Sequence, residues 1–191
     1  MLKEIIKKCA SLIGRDDIIV ELEKKSFIDE IENPNLRFDI IRFMHYFNTI
    51  SSGVFESHLK LEFCEKIASN SVGGISFNRF SRKVVKVLKI QDENGREINF
   101  TTSPFAVITN FNNRLFTVTY NYVPNRVNDL SDYVEEFPID YETILCYGMI
   151  MEFLSSAGKY SESEFWRDKF CLLLFNLDSK RERRVKSTYC V

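Results

Sequence analysis

Long apolar runs, paired cysteines and phosphate-binding glycine motifs are all missing from this 191-residue chain. No stretch approaches the ~18 apolar residues that a membrane-crossing helix needs. The opening Met-Leu-Lys-Glu-Ile-Ile-Lys-Lys interleaves charge with apolar side chains and has no signal-peptide core. Synthesis in the cytoplasm, without a membrane partner, is the expectation. The cysteines, Cys9, Cys64, Cys146, Cys171 and Cys190, are odd in number, widely spread and never C-x-x-C. That argues against a disulfide framework or a zinc site. Cys9 shares a helical stripe with Leu2, Ile5, Ile6, Leu12 and Ile13, so it reads as a small core residue. Cys146 and Cys171 sit among apolar neighbours and read the same way. No role follows for Cys190.

Catalytic chemistry is equally sparse. The two histidines, His45 and His58, have no Cys, Asp or His at ligand spacing. There is no G-x-S-x-G, no P-loop and no G-x-G-x-x-G. Asp16-Asp17 and Glu135-Glu136 are adjacent carboxylates, a pattern that faces solvent instead of forming an acid–base pair. The chain reads as a non-enzyme with no cofactor, metal or catalytic residue. Its net charge of −1 advertises no general affinity for nucleic acid.

The clearest positive signal lies toward the carboxyl end. A helix is expected from Asp140, capped by that carboxylate and stapled by Ile139 and Ile144, to Gly158, where glycine closes the last turn. Between Thr143 and Leu154 its only charge is Glu152. A helix apolar nearly all round is covered on more than one side. That cover is either the rest of the chain or a second subunit. A second helix should open at the capping box Ser161-x-x-Glu164, with Tyr160 and Phe165 as its staple. Trp166, Phe170, Leu173, Leu174 and Leu177 then share one face and form the core of a helical hairpin. Beyond it lies a basic arm, Lys180, Arg181, Arg183, Arg184 and Lys186 against Glu182, net +4, with the remainder of the chain at −5.

Upstream, residues 1–13 form an amphipathic helix ended by Gly14, and Asp16–Lys25 a weaker one. Asn33-Pro34 restarts the chain as cap and first helical residue. Leu36, Ile40, Phe43, Phe47, Ile50 and Val54 then trace one face as far as about Ser57. Strand spacing follows. Leu59, Leu61, Phe63 and Ile67 alternate with polar residues, Gly73-Gly74 turns into a strand over Ile75–Phe80, and Val84–Ile90 is expected to return through Asn94-Gly95 as Glu97–Thr101. Phe105–Thr109 and the strand carrying Phe116, Val118, Tyr120 and Tyr122 complete it. The expected class is α+β: a helical bundle with an inserted, mostly antiparallel β unit and a C-terminal arm. Residues 1–57 give the N-terminal helices, 58–122 the β unit, 123–178 the loop and hairpin that complete the bundle, and 179–191 the arm.

Several segments together resemble the head–tail connector (adaptor, neck ring) proteins of tailed bacteriophages. They are Leu12–Gly14 at the end of the first helix, Val87–Phe100, Val118–Pro124, Ile144–Leu154, and Glu162–Phe170 with its basic terminus. Residues 15–33 match poorly. The resemblance implies a virion structural protein of the neck. It implies a homo-oligomeric ring, commonly of twelve subunits and monomeric on its own in some cases. The ring binds the portal protein on one side and a stopper or tail-completion protein on the other, and genome DNA passes non-specifically through the channel. It also places portal contact in the arm, at Lys180, Arg181, Arg183, Arg184, Val185, Lys186, Tyr189 and Val191, with an added strand as one mode of attachment. Ring contacts are expected from the outer sides of the hairpin and from the β unit, and Arg79, Arg82 and Lys83 either line the channel or sit as solvated strand-edge charges. The competing readings are another phage neck or tail-completion protein and a nucleic-acid-binding regulator.

Overall fold

The computed structural model describes residues 2–58, 61–132 and 139–188; for 139, 140 and 178–188 it describes the helical backbone alone. The chain divides into two compact units, residues 1–53 with 126–191, and residues 54–125. The architecture is α+β, as the sequence pattern implies.

In the first unit, helix α1 (Leu2–Leu12) buries Leu2, Ile5, Ile6 and Cys9 of the stripe read from its spacing, together with Ala10, whereas Leu12, expected on that stripe, is exposed. Gly14 closes it with φ +68°, and the amide of Arg15 bonds back to the Ala10 carbonyl at 2.9 Å. Helix α2 (Asp16–Lys24) follows. Helix α3 (Pro34–Ser57) starts where Asn33 Oδ1 accepts from the amide of Asn35 at 3.0 Å, the expected cap. Helix α4 (Ile139–Ser156) and helix α5 (Tyr160–Thr188) complete the unit.

The cover of α4 comes from within the chain. Phe153 stacks on Phe43 of α3 with ring centroids 4.4 Å apart. Cys9 of α1 lies against the Cys146 carbonyl, and Tyr147 meets Trp166 of α5 at 5.1 Å. The tightest point is Gly148. A β-carbon there would lie 2.7 Å from Ile50 Cγ2 and 3.1 Å from Phe170 Cε2. Glycine therefore lets α3 and α5 close on α4 from two directions. A loop is tied down beside them, because the Asn48 side chain both donates to and accepts from the backbone of Val127.

The second unit holds two three-stranded antiparallel sheets, β1–β6–β3 and β2–β5–β4. The strands are β1 (Leu61–Ala68), β2 (Gly74–Ser76), β3 (Lys83–Gln91), β4 (Phe100–Thr102), β5 (Ala106–Thr109) and β6 (Leu115–Val123). β1 and β6 pair without interruption from Leu61↔Tyr122 to Ala68↔Leu115. The alternating residues Phe116, Val118, Tyr120 and Tyr122 enter the core with Ile67, Ile75, Phe80, Val87, Ile90 and Val107. Gly73 is required by its setting: its φ is +77°, and a β-carbon would fall 2.2 Å from the Thr109 carbonyl oxygen.

Five local expectations are corrected. Asp140 lies inside α4, which already includes Ile139. Ser161 does not cap α5. The α4 terminus closes at Gly158 (φ +75°, Lys159 amide to Leu154 carbonyl, 3.0 Å), and α5 begins at once, with the Ser163 amide on the Lys159 carbonyl. Tyr160 and Phe165 are both exposed and form no buried staple. The strand expected over Ile75–Phe80 ends at Ser76, and a 3₁₀ turn, Phe77–Arg79, follows. Finally, the return after Asn94-Gly95 pairs with β3 only at Gln91–Glu97 and Ile98–Ile90, then leaves as β4 to join β5. It departs where β3 has a register shift between Val87 and Lys89. That shift lies in the β3–β6 ladder, and an irregularity of this kind bends the strand locally.

Two measurements check this packing. Gly148→Val should lower stability by about 1–3 kcal/mol, the range for an overpacked core. Gly53→Ala, at a helical site with open space around the β-carbon, should raise it by about 0.5–1 kcal/mol through helix propensity. Urea denaturation of both variants reads the opposite signs, and equal signs would refute the close approach at Gly148. In the β unit, burial first and the Tyr120–Glu65 hydrogen bond second push the Tyr120 phenol up to about 12, from an ordinary value near 10. The folded state therefore holds a proton that the unfolded state releases, so stability is full below pH ~10 and falls as pH rises toward ~12. Tyr120→Phe should remove that alkaline slope, read as Tm against pH with the late-ionising tyrosine absent from a 295 nm titration.

Candidate functional site

No catalytic constellation assembles among the described residues. Among these residues no group of three or more His, Cys, Asp or Glu is placed to hold a metal ion, and no described helix is long and apolar enough to cross a membrane. Asp17 is taken up by Arg15, which also reaches Asp39 at 2.8 Å; that guanidinium holds the Asp17 carboxyl below its ordinary range. Glu135 and Glu136 lie outside the described residues. Cys9 and Cys146 are buried as expected, whereas Cys171 is exposed, on the side of α5 turned away from α4.

The open chemistry is on α5. Its expected core face, Trp166, Phe170, Leu173, Leu174 and Leu177, is the side turned inward, yet each of these residues is only half-buried. A second apolar row lies on the other side. Phe165, Leu172 and Phe175 are more than half exposed, Phe175 at 70 %. Spacings of seven and three residues put them on one helical side, well away from the Trp166 face. Lys169 sits over the rings of Phe165, Trp166 and Tyr147 at 4.3, 5.0 and 5.8 Å. The helix thus offers apolar surface in two directions, and α4 uses one of them.

The basic arm is corrected in conformation. Lys180, Arg181, Arg183, Arg184, Val185 and Lys186 continue α5 as helix to Thr188, whereas an arm separate from the hairpin was expected over residues 179–191. Tyr189, Cys190 and Val191 lie outside the described residues. The physical reason was visible in the sequence as an absence: after Gly158 there is no glycine or proline to stop the helix. Lys, Arg and Glu are strong helix formers, and positive charge at a helix C-terminus is favoured by the macrodipole. α5 has 29 residues against 18 in α4, the antiparallel helix it packs on. It therefore runs about 16 Å past that partner at ~1.5 Å per residue.

The residues considered for a DNA channel have structural engagements in the β unit. Arg79 donates to the Ala68 carbonyl at 2.8 Å and Lys83 pairs with Glu56 at 3.4 Å. Arg82 lies 4.4 Å from the ring centres of both Phe63 and Tyr122. Lone exposed apolar groups occur in this unit too, Phe105 at 81 % and Val72 among them. A comparison with models of known protein families finds no match to the chain, and a comparison with curated proteins finds none either.

Proposed function

We propose that this chain is a head–tail adaptor of a tailed bacteriophage, a non-enzymatic neck protein that forms a ring beneath the portal. In that role it joins the portal protein to a stopper or tail-completion protein, and genome DNA passes through the ring. The observation that carries the reading is α5: a helix that outruns its packing partner and ends in a segment of net charge +4. Past the start of α4, positions 180, 181 and 184 continue the inward register of Trp166, Phe170, Leu173 and Leu177. No α4 residue accompanies them there. A basic helix end is suited to an acidic socket on a partner. Its charge speeds and orients docking more than it sets final affinity, and a preformed helix gives up less entropy on binding than a floppy arm.

The test is electron microscopy of the full-length protein mixed with the portal protein of the same virus, beside the protein truncated after Asp178. Full-length protein should add a collar to the portal and the truncated protein should not. A collar formed equally well by the truncated protein would remove residues 180–191 from portal binding. Absence of any collar, together with strongly salt-dependent binding to DNA fragments, would transfer the chain to the nucleic-acid-binding reading.

A further inference from the structure

Two cysteines that the proposed function leaves unused lie face to face where α1 packs on α4. Cys9 and Cys146 are 137 residues apart in sequence, and both are fully buried. The Cys9 thiol donates to the Cys146 carbonyl at 3.7 Å, and the Cys146 thiol donates to the Ile5 carbonyl at 3.9 Å. Each sulfur is therefore in contact with the backbone of the other helix, and the two thiols also hydrogen-bond each other. Packing alone explains a small buried side chain, and Ala10 fills the next position of α1 in that way. It does not require two sulfurs in contact. Neighbouring sulfurs on closely approaching backbones are what a disulfide demands of two helices.

The pair lies close to the surface in one direction. A groove lined by Lys8 and Ser11 of α1, Glu23 of α2 and Glu142 of α4 opens beside it. Lys8 adjoins Cys9 in sequence, and Glu142 stands one turn before Cys146. Neither cysteine has exposed surface, so a bulky disulfide has no approach to either sulfur. A peroxide, little larger than water, needs only a small opening of the joint. The two thiols also differ in readiness. A hydrogen bond from Cys9 holds the Cys146 thiol below its ordinary range in spite of burial, and Lys8 adds attraction for the thiolate. Burial pushes the Cys9 thiol up. Cys146 therefore holds the larger thiolate fraction, and the thiolate is the nucleophile.

We propose that Cys9 and Cys146 are a latent redox pair, converted by hydrogen peroxide into a disulfide that fastens α1 to α4. The Cys146 thiolate attacks one peroxide oxygen. An S–O bond forms, the O–O bond breaks, and the departing hydroxide takes up the proton that Cys146 released, giving water. Cys146 is then a sulfenic acid. The Cys9 sulfur next attacks the Cys146 sulfur. The S–S bond forms as the S–O bond breaks, and hydroxide leaves with the Cys9 proton as a second water. Two thiols have lost two electrons, and one peroxide has become two waters. In reducing surroundings the pair stays open. Once oxidised, the first helix is tied across the whole intervening chain to the most enclosed helix of its unit. None of these steps depends on the adaptor reading.

The experiment uses the full chain carrying Cys64→Ser, Cys171→Ser and Cys190→Ser, so that only the pair can react. Reduced protein is desalted, treated with hydrogen peroxide, and followed by intact mass, non-reducing peptide mapping and thermal melting. The mass should fall by two hydrogens, and the map should join the Cys9 peptide to the Cys146 peptide. The melting temperature of the helical unit should rise by roughly 5–15 °C. Dithiothreitol should reverse all three changes. With Cys9→Ala added, Cys146 should stop at the sulfenic acid and be trapped by dimedone. With Cys146→Ala added instead, Cys9 should give no adduct. Circular dichroism verifies that these variants fold. Two thiols still free to alkylate after peroxide treatment and unfolding would overturn the proposal. A disulfide that leaves the melting temperature unchanged or lower would overturn its fastening role, and a dimedone adduct on Cys9 would overturn the order of the steps.

Discussion

The helical unit depends on the convergence of three helices at Gly148. α4 is apolar on nearly every side, and a helix of that kind is stable in water only when other elements enclose it. Ile144, Leu145, Cys146, Met149, Ile150, Phe153 and Leu154 are all buried, each large side chain contributing about 1.5–3 kcal/mol before conformational entropy is charged. The enclosing elements are α1, α3 and α5, and the last two come close enough only because position 148 has no side chain. The same arrangement decides what is left for partners. A helix wrapped by its own chain has no free face to offer, so interaction surface must come from the wrapping helices. α3 and α5 carry exposed apolar groups, Phe38 and Ile41 on one and Phe165, Leu172 and Phe175 on the other.

How much of this was legible in the sequence follows from the range of the forces involved. Helix and strand positions are set by local periodicity, and α1, α3 and β6 were found within a residue or two of their ends. The Asn33-Pro34 restart and the Gly14 and Gly158 stops were legible because each depends on one residue's backbone preference. The cap at Ser161 was misread because two residues competed. A Schellman closure at Gly158 leaves only Lys159 between the helices, and the next helix starts before serine can cap it. The hairpin after β3 was half legible. Asn94-Gly95 makes its turn, but a register shift around Leu88 is a tertiary event without a sequence mark. The two-way exposure of α5 was not legible at all. Phe165, Leu172 and Phe175 were simply further apolar residues on a helix whose inward face was already accounted for.

The conformation of the basic end shows how a missing signal can carry information. Charge suggested an arm, and arms are commonly extended, yet nothing between Gly158 and the end of the chain opposes helix. Propensity summed over Lys, Arg and Glu favours continuation, and the C-terminal end of the dipole favours those cations. Such an extension is marginal without tertiary support, and past the start of α4 it has no support from that helix. The extension is stabilised mainly by continuity with the packed turns before it.

That continuity has a consequence for assembly. A flexible arm samples many directions and loses them on binding, so its charge steers encounter but fixes no angle. A helix end continuous with Trp166, Phe170 and Gly148 inherits its direction from the core of its own subunit. In the proposed ring, that direction is set by the packed bundle of each subunit. Fixed rotation is the condition for a ring to close at one size instead of growing as a filament.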